Sequence, residues 1–140
     1  MTEILSEEEA KKLDSYHNYG NGDYKYEDKE WIEHLIRDGE EIASGIYVFS
    51  YENGDYKYQD KDGIEHLIRN GKEIASGLNV NSYSNGDYAY KDKKGIWHLI
   101  RNNKEIAKGL DVYSYNNMDY AYQDNKWIWY RFNKKWYFIC

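Results

Sequence analysis

The amino-acid sequence repeats itself with a period of 32 residues. The segment Asn53–Gly77 returns as Asn85–Gly109 with few substitutions. A fixed period of roughly 20–50 residues is typical of solenoids, propellers and arrays, in which each repeat is one supersecondary element. Four repeats of this length fill most of the chain, at 15–46, 47–78, 79–110 and 111–140. The period therefore predicts a single repeat domain over residues 15–140, with residues 1–14 as a separate segment.

Each repeat contains four short segments with the composition of β-strands. In the second repeat these are Tyr47–Tyr51, Asp55–Gln59, Ile64–Arg69 and Lys72–Ser76. The Asn70–Gly71 pair between the last two is a strong hairpin signal, because both positions of such a turn need a positive φ. We predict an all-β fold of four tandem repeats of about 32 residues, each a four-stranded antiparallel sheet.

The third predicted strand carries apolar residues on both faces. Ile64 and Ile68 lie on one face and Leu67 on the other, since successive side chains of a strand alternate. Such a strand must be covered on both sides, which favours sheets stacked face to face. The chain contains no proline, as expected when the backbone donors of the strands are all in use.

The N-terminal segment has a helix start signal. Ser6 is followed three residues later by Glu9, the capping-box pattern that satisfies the first free N–H groups of a helix. We predict a short helix over roughly residues 7–14, and we expect residues 1–14 to cap one end of the repeats.

Cysteine usage and hydropathy bear on the compartment. Cys140 is the single cysteine of the chain, so an internal disulfide is impossible and a reducing compartment is favoured. The first residues lack the basic region and the apolar run of a signal peptide, and no stretch approaches the ~18 apolar residues of a membrane span. We therefore expect a soluble, cytoplasmic protein that does not bind a membrane.

Charge is distributed unevenly along a chain of net charge −6. Residues 15–46 contain eight acidic and three basic residues, whereas residues 79–110 contain three acidic and six basic residues. Such asymmetry can steer association with a partner, including head-to-tail self-association. The overall negative charge argues against direct nucleic-acid binding, which requires Lys and Arg against phosphates.

The third repeat is similar to a known repeat family. Val80–Tyr90, followed by Gly95–Arg101, resembles a shortened blade of the WD-like β-propeller repeats, which have a Ser-containing inner strand, a turn with Asp and Gly, and a third strand with Trp. The similarity covers residues 15–140. The period is shorter than the usual 40–45 residues of such blades. The resemblance implies a propeller-like arrangement of the repeats, and the alternatives are an open repeat array or half of a ring that a second chain completes.

Histidines recur at one position of the repeat, as His34, His66 and His98, with Tyr130 in the fourth repeat. Such a set raises the question of a metal site. Each histidine lies among the apolar residues of the third strand, and no Cys or second His stands at ligand spacing. We predict structural histidines that bond to neighbouring backbone, and no metal or cofactor.

Aspartates and serines also recur, but they do not form a catalytic pattern. Four repeat-related aspartates follow the first turn, and we expect them to accept hydrogen bonds from turn N–H groups; they are Asp23, Asp55, Asp87 and Asp119. Acid–base catalysis needs carboxylates in unequal environments, whereas repetition makes environments alike. No nucleophile–base pair, phosphate loop or cofactor fingerprint is found, so we do not expect an enzyme.

The differences between repeats are more informative than the similarities. The two central repeats agree at 23 of 32 positions, which are the positions that the fold requires. Several of the variable positions carry Trp, Tyr or Phe, the residue types that anchor interfaces; the alternative is that these rings pack against neighbouring repeats. The predicted partner-binding residues are Glu27, Asp28, Glu30, Trp31, Glu33, Tyr47, Phe49, Trp97, Tyr113, Trp127 and Trp129.

Three hypotheses for the function follow. The first is a non-enzymatic module that binds another protein, in one form an inhibitor or immunity-type protein of bacterial or mobile-element origin. Its acidic first repeat would then occupy the basic groove of a larger effector. The second is a lectin-like repeat protein, with Trp and Tyr stacking on sugars. The third is a structural module that assembles with itself.

Overall fold

The chain folds into short strands in a computed structural model that describes residues 4–133. One helix, α1 (Glu7–Ala10), precedes the strands. Within the described residues the strands are β1 (His17–Asn18), β2 (Asp23–Glu27), β3 (Glu33–Arg37), β4 (Glu40–Gly45), β5 (Tyr47–Ser50), β6 (Tyr56–Gln59), β7 (Glu65–Arg69), β8 (Lys72–Gly77), β9 (Asn79–Ser82), β10 (Tyr88–Lys91), β11 (Trp97–Arg101), β12 (Lys104–Gly109), β13 (Asp111–Ser114), β14 (Tyr120–Gln123) and β15 (Trp129–Phe132). The predicted all-β fold with a short N-terminal helix is confirmed.

Consecutive strands are neighbours in four antiparallel sheets. Three sheets have four strands each, β1–β4, β5–β8 and β9–β12, and the described part of the fourth sheet has three, β13–β15. The fourth strand predicted for the last repeat falls outside the described residues. The chain divides into two compact units, Met1–Ile74 and Ala75–Cys140. No helix between residues 4 and 133 is long and apolar enough to cross a membrane.

The hairpins that join third and fourth strands have the backbone geometry that the sequence indicates. Asn70 and Gly71 have φ values of 52° and 77°. The equivalent pair in the third repeat is Asn102 and Asn103, with φ values of 52° and 65°. Asn tolerates this region better than other side chains because its short amide side chain can bond to nearby backbone. The third repeat therefore keeps the turn although Asn103 stands in place of glycine.

Buried side chains on the third strands of the first three repeats lie on both faces of their sheets, as predicted. Leu35 and Ile36 are adjacent and both are fully buried, as are Leu67 and Leu99. In the N-terminal unit, Tyr24, Tyr26 and Ala10 complete one core cluster around Ile36. The aromatic rings contribute the apolar area that aliphatic residues supply elsewhere, roughly 150–250 Å² for each buried ring.

The C-terminal unit has its own core cluster. Leu99 packs with Ala89, Ala107, Val112 and Tyr120. Partly buried apolar side chains lie against this cluster: Tyr83, Trp97, Ile106, Tyr122 and Phe132.

Helix α1 has the predicted capping box but is shorter than predicted. The Glu9 backbone N–H donates to Ser6 Oγ at 3.3 Å, and the Ser6 N–H donates to Glu9 Oε1 at 3.2 Å. The helix ends at Ala10, its one buried residue. Short helices in water persist only where tertiary packing supports them, and residues 11–14 are all exposed.

The recurring aspartates do not have the predicted role at turns. Asp23 is 1% exposed and accepts two hydrogen bonds from Arg37, at 2.9 and 2.8 Å, and one from Ser50 Oγ at 2.6 Å. These bonds connect the first repeat to the second. Asn21, two residues earlier, accepts the turn N–H instead. Asp87, Arg101 and Ser114 repeat this arrangement between the third and fourth repeats; their bonds include one of 2.6 Å from Ser114 to Asp87.

Candidate interaction site

A five-residue turn joins the second and third strands of each repeat. In the first repeat the Asp28 N–H donates to Ile32 O at 2.8 Å, and the Trp31 N–H donates to Asp28 O at 3.1 Å. Asp28 Oδ1 accepts from the Glu30 and Ile32 N–H groups, at 2.8 and 3.1 Å. These bonds close the turn and place its fourth residue in the left-handed region.

The residue at this left-handed position differs between repeats. It is Gly63 in the second repeat and Gly95 in the third, with φ values of 82° and 83°. It is Trp31 in the first and Trp127 in the fourth, each with a φ of 68°. A left-handed conformation disfavours an L-residue by about 1–2 kcal/mol, and for a bulky one it is a genuine outlier.

Packing does not compensate for this strain. Trp31 is 75% exposed and Trp127 is 73% exposed. The glycines of the central repeats demonstrate that the turn forms without an indole. Two repeats therefore hold a large aromatic side chain in solvent at a position where the fold favours glycine, and backbone strain of this kind is the starting point for a hypothesis of function.

A pocket lies beside the Trp31 turn. Its volume is about 420 Å³, and it lies between the N-terminal segment and the β2 end of the first repeat. Leu5, Leu13 and Tyr26 form its apolar part. The lining also includes Glu27, Asp28, Lys29 and Glu30. The structure thus brings together three of the predicted acidic residues, with Trp31 next to them in the same turn.

An aromatic surface lies around Trp127 in the last repeat. Ile128 is 49% exposed and Trp129 is 41% exposed. Trp129 and Tyr113, which is 48% exposed, line a shallow groove. The other lining residues of that groove are Asp111, Val112 and Tyr115. Three of the predicted binding residues therefore lie on the β13–β15 sheet and its turn.

The other predicted residues are half-buried and already have partners. Glu33 accepts from Lys25 Nζ at 3.0 Å and from the Val48 N–H at 2.9 Å. The Lys25 ammonium also lies 4.7 Å from the centre of the Tyr47 ring.

Phe49 and Trp97 are also packed within the fold. The Phe49 ring meets Tyr19 edge to face, with 5.4 Å between the ring centres. Trp97 packs against the core cluster of the C-terminal unit. Of the predicted aromatic residues, the two indoles of the left-handed position are the most exposed.

Sequence reasoning missed Leu5 and Leu13, which form much of the pocket. Both precede the repeats, so comparison between repeats gave no signal for them. It missed Ile128 for the opposite reason, because Ile32, Ile64 and Ile96 hold the same position and the residue does not vary.

The recurring histidines are each held between two carboxylates, and not by backbone as predicted. Nε2 of His66 lies 2.8 Å from Asp60 Oδ2 and its Nδ1 lies 2.6 Å from Glu73 Oε1. The ring stacks on Tyr58, with 4.7 Å between centres. His98 repeats this arrangement with Asp92 and Glu105.

This geometry engages both ring nitrogens of each histidine. Burial lowers the pKa of His66, but the bonds to Asp60 and Glu73 outweigh it, and the pKa is raised. The bond from His66 in turn lowers the pKa of Asp60. Among residues 4–133 no group of three or more His, Cys, Asp or Glu side chains is placed to hold a metal ion.

Comparison with protein-family models and with curated proteins finds no match. Among solved structures, the chain is similar to a crystal structure of the WD40 beta-propeller domain of Doa1, with 11% sequence identity and a TM-score of 0.39. The match covers 74% of this chain and 44% of that chain, so the present chain spans less than half of the structure that it matches. This similarity is of the same kind as the resemblance in the sequence, to WD-like β-propeller repeats.

Proposed function

We propose that the chain is a non-enzymatic repeat module that binds another protein. The observation that carries this proposal is the pair of exposed tryptophans, Trp31 and Trp127, in left-handed backbone positions where the central repeats have glycine. Tryptophan is the residue type most enriched among interface hot spots, because it buries a large area with few rotatable bonds.

The surroundings of each indole support this reading. Trp31 follows Glu30, a rim residue of the apolar pocket, and Trp127 precedes Ile128 and Trp129, which are also exposed. An anchor beside further apolar surface, within a polar rim, is the usual composition of a protein interface.

A more specific form of the proposal is an inhibitor or immunity-type protein of bacterial or mobile-element origin. The acidic first repeat would occupy a basic groove that a larger effector uses for nucleic acid. Eight acidic residues against three basic ones in residues 15–46 supply the required charge. Binding of this kind must weaken steeply as salt is added. Affinity that is the same at low and high salt would exclude it.

The general proposal is tested by capture of partners from the source cells with the purified chain as bait. Wild type is compared with the double variant W31G/W127G, whose fold the glycines of the central repeats already allow. We expect one or more proteins to bind wild type and not the variant. The control is K61A, a change at an exposed side chain beside the glycine-containing turn of the second repeat. Partners that bind all three baits equally, or no partner at all, would contradict the proposal.

A second candidate function, carbohydrate binding, is favoured by the groove of the last repeat. The rings of Tyr113 and Trp129 are partly exposed there, and the carboxylate of Asp111 is an acceptor for hydroxyl groups. Sugar binding there would change the fluorescence of Trp129, and W129F would remove the change. A panel of mono- and oligosaccharides that leaves the emission unaltered would eliminate this candidate.

A further inference from the structure

The pocket beside Trp31 has a floor that the fold holds in place. The Leu5 N–H donates to Tyr26 Oη at 2.9 Å, and Tyr24 Oη donates to Leu5 O at 3.2 Å. Two tyrosines of β2 thus fix the backbone of the segment that precedes α1. Tyr16 Oη donates to Glu7 at 2.7 Å and ties the helix itself to the first repeat. Ala10, the last residue of the helix, is fully buried.

No element among residues 4–133 covers the apolar part of the pocket. Leu13 is 37% exposed although its side chain lines the pocket. Leu5 is half-buried and Tyr26 is 2% exposed, so the floor is closed and the Leu13 side is open. An aliphatic side chain from outside would cover Leu13 and Leu5 at once.

The rim of the pocket carries an excess of negative charge. Glu27, Asp28 and Glu30 stand against one ammonium group, that of Lys29. The Asp28 carboxylate already accepts hydrogen bonds from two N–H groups of its turn and bonds to His34. Within residues 4–133 the carboxylates of Glu27 and Glu30 have no ion-pair partner, so they are available to cations from a ligand.

Comparison between repeats indicates that this charge is not a requirement of the fold. The residues equivalent to Glu27 are Gln59, Lys91 and Gln123, and those equivalent to Glu30 are Asp62, Lys94 and Lys126. Glu27 also faces Glu33 across the β2–β3 pair, and like charges directly opposite each other destabilise a sheet. Apart from Asp62, the other repeats therefore have neutral or basic side chains at the positions of Glu27 and Glu30.

We propose that this pocket binds a cationic peptide segment of the protein partner, with one aliphatic side chain in the pocket and flanking Lys or Arg residues on the rim. The aliphatic side chain packs on Leu5, Leu13 and Tyr26. The flanking cations pair with Glu27 and Glu30. Trp31 covers the segment from the adjoining turn and interacts favourably with a guanidinium or ammonium group. The inference deepens the proposed function and rests on it.

The test begins with selection from a displayed library of random dodecapeptides against the intact chain. We expect the enriched peptides to contain two or more Lys or Arg residues around a Leu, Ile, Val or Met. The best of them, labelled with a fluorophore, is then titrated with wild type and three variants, and binding is followed by fluorescence anisotropy.

Two variants change residues that line the pocket, and a third is a matched control. E30K reverses a rim charge and copies the lysine of the third and fourth repeats. L13E places a charge in the apolar opening, and its thermal unfolding is measured alongside to verify the fold. D62K makes the corresponding change at the same turn position of the second repeat, and Asp62 does not line the pocket. We expect E30K and L13E to weaken binding at least tenfold and D62K to change it less than twofold.

Three results would overturn the assignment. They are a library without enrichment, enrichment of acidic or uncharged sequences, and binding that E30K and L13E leave intact. Self-association of wild type that E30K abolishes would instead make a second copy of the chain the occupant, and would also overturn it. If the W31G/W127G variant still fails to capture partners that wild type captures, the proposed function stands and only the cationic peptide is rejected.

Discussion

Nε2 of His34 lies 2.7 Å from Oδ2 of Asp28, and its Nδ1 bonds to Glu41 on the neighbouring strand. Burial lowers the pKa of His34, but the bonds to the two carboxylates outweigh it, and the pKa is raised above 6.5. Burial raises the pKa of Asp28, but the bonds from His34 and from the turn N–H groups outweigh it, and that pKa is lowered. His66 and His98 are placed in the same way.

These shifts predict a stability maximum in mildly acidic solution. A histidine with a raised folded-state pKa contributes stability fully below its unfolded value of 6.5, and this contribution is lost as pH rises through the folded value. The aspartates contribute above 3.8, and their contribution is lost as pH falls through their lowered values. We expect the free energy of unfolding to be largest between about pH 4 and 6.5 and to fall on either side. Urea unfolding at a series of pH values measures it.

The fourth repeat supplies the control for this prediction. Tyr130 occupies the histidine position and donates to Asp124 Oδ2 at 3.0 Å. H98Y therefore replaces the titrating histidine of the third repeat by the tyrosine that the fourth repeat has at the equivalent position. We expect H98Y to fold and to reduce the decline of stability above pH 6.5. An unchanged alkaline decline in H98Y would mean that the histidine is not its source.

Replacement of the strained indoles should stabilise the fold. W31G relieves about 1–2 kcal/mol of left-handed strain, and the added freedom of glycine in the unfolded chain offsets about 0.5–1 kcal/mol of it. We expect W31G and W127G each to raise the free energy of unfolding by about 0.5–1 kcal/mol, measured by urea denaturation. The reverse change, G63W, should lower it by a similar amount. If W31G instead destabilises the protein, the indole has a structural role and its value as a binding anchor is lost.

Local signals in the sequence predicted the elements well. Asn70–Gly71 fixes a hairpin because both φ angles are positive there, and Ser6 with Glu9 fixes a helix start because each bonds to the backbone of the other. Both depend on residues within three positions of each other. The alternation of Leu67 and Ile68 likewise predicted a strand buried on both faces.

Roles that depend on contacts between repeats could not be read in the same way. Asp23 follows a turn, as a turn aspartate would, but its partners Arg37 and Ser50 are 14 and 27 positions away. The pocket could not be predicted for the same reason, because Leu13 and Glu30 line one pocket only when the N-terminal segment packs against β2. Comparison between repeats did single out Trp31, because it is an aromatic residue at a position that varies and holds glycine in the two central repeats.

The buried Asp23 network should make two substitutions differ strongly in effect. D23A removes the acceptor of the Ser50 hydroxyl and leaves the Arg37 guanidinium with its bond to Gly54 O. Removal of one partner of a fully buried ion pair costs about 3–5 kcal/mol, and we expect the lower end of this range because the Arg37 side chain is 33% exposed. S50A removes one neutral donor and should cost about 1–3 kcal/mol. We expect the free energy of unfolding to fall in that order, measured by urea denaturation. Equal effects would indicate that the ion pair contributes no more than the hydroxyl bond.

Gly45 marks a close approach between the first two repeats. A Cβ at this position would lie 2.3 Å from the backbone oxygen of Gln59, to which the Ile46 N–H also donates at 2.9 Å. G45A must push the two backbones apart, and we expect a loss of about 1–3 kcal/mol or more. S44A, an exposed change one residue earlier, is the control and should be nearly neutral. Comparable stability of G45A and S44A would show that the repeats separate at little cost.

The like-charge pair of Glu27 and Glu33 predicts that the acidic rim weakens the first sheet. Glu33 already pairs with Lys25 at 3.0 Å, so Glu27 faces it without a cation of its own. E27Q installs the residue that the second repeat has opposite Glu65, where Lys57 makes the same 3.0 Å pair. We expect E27Q to raise the free energy of unfolding by about 0.2–1 kcal/mol. Because the repulsion is electrostatic and near the surface, the gain should shrink when urea denaturation is repeated in about 1 M salt.

Q59E makes the converse change in the second repeat and should lower the free energy of unfolding most at low salt. If salt does not reduce the stability gained by E27Q, the gain arises from packing. Repulsion between Glu27 and Glu33 would then not destabilise the sheet.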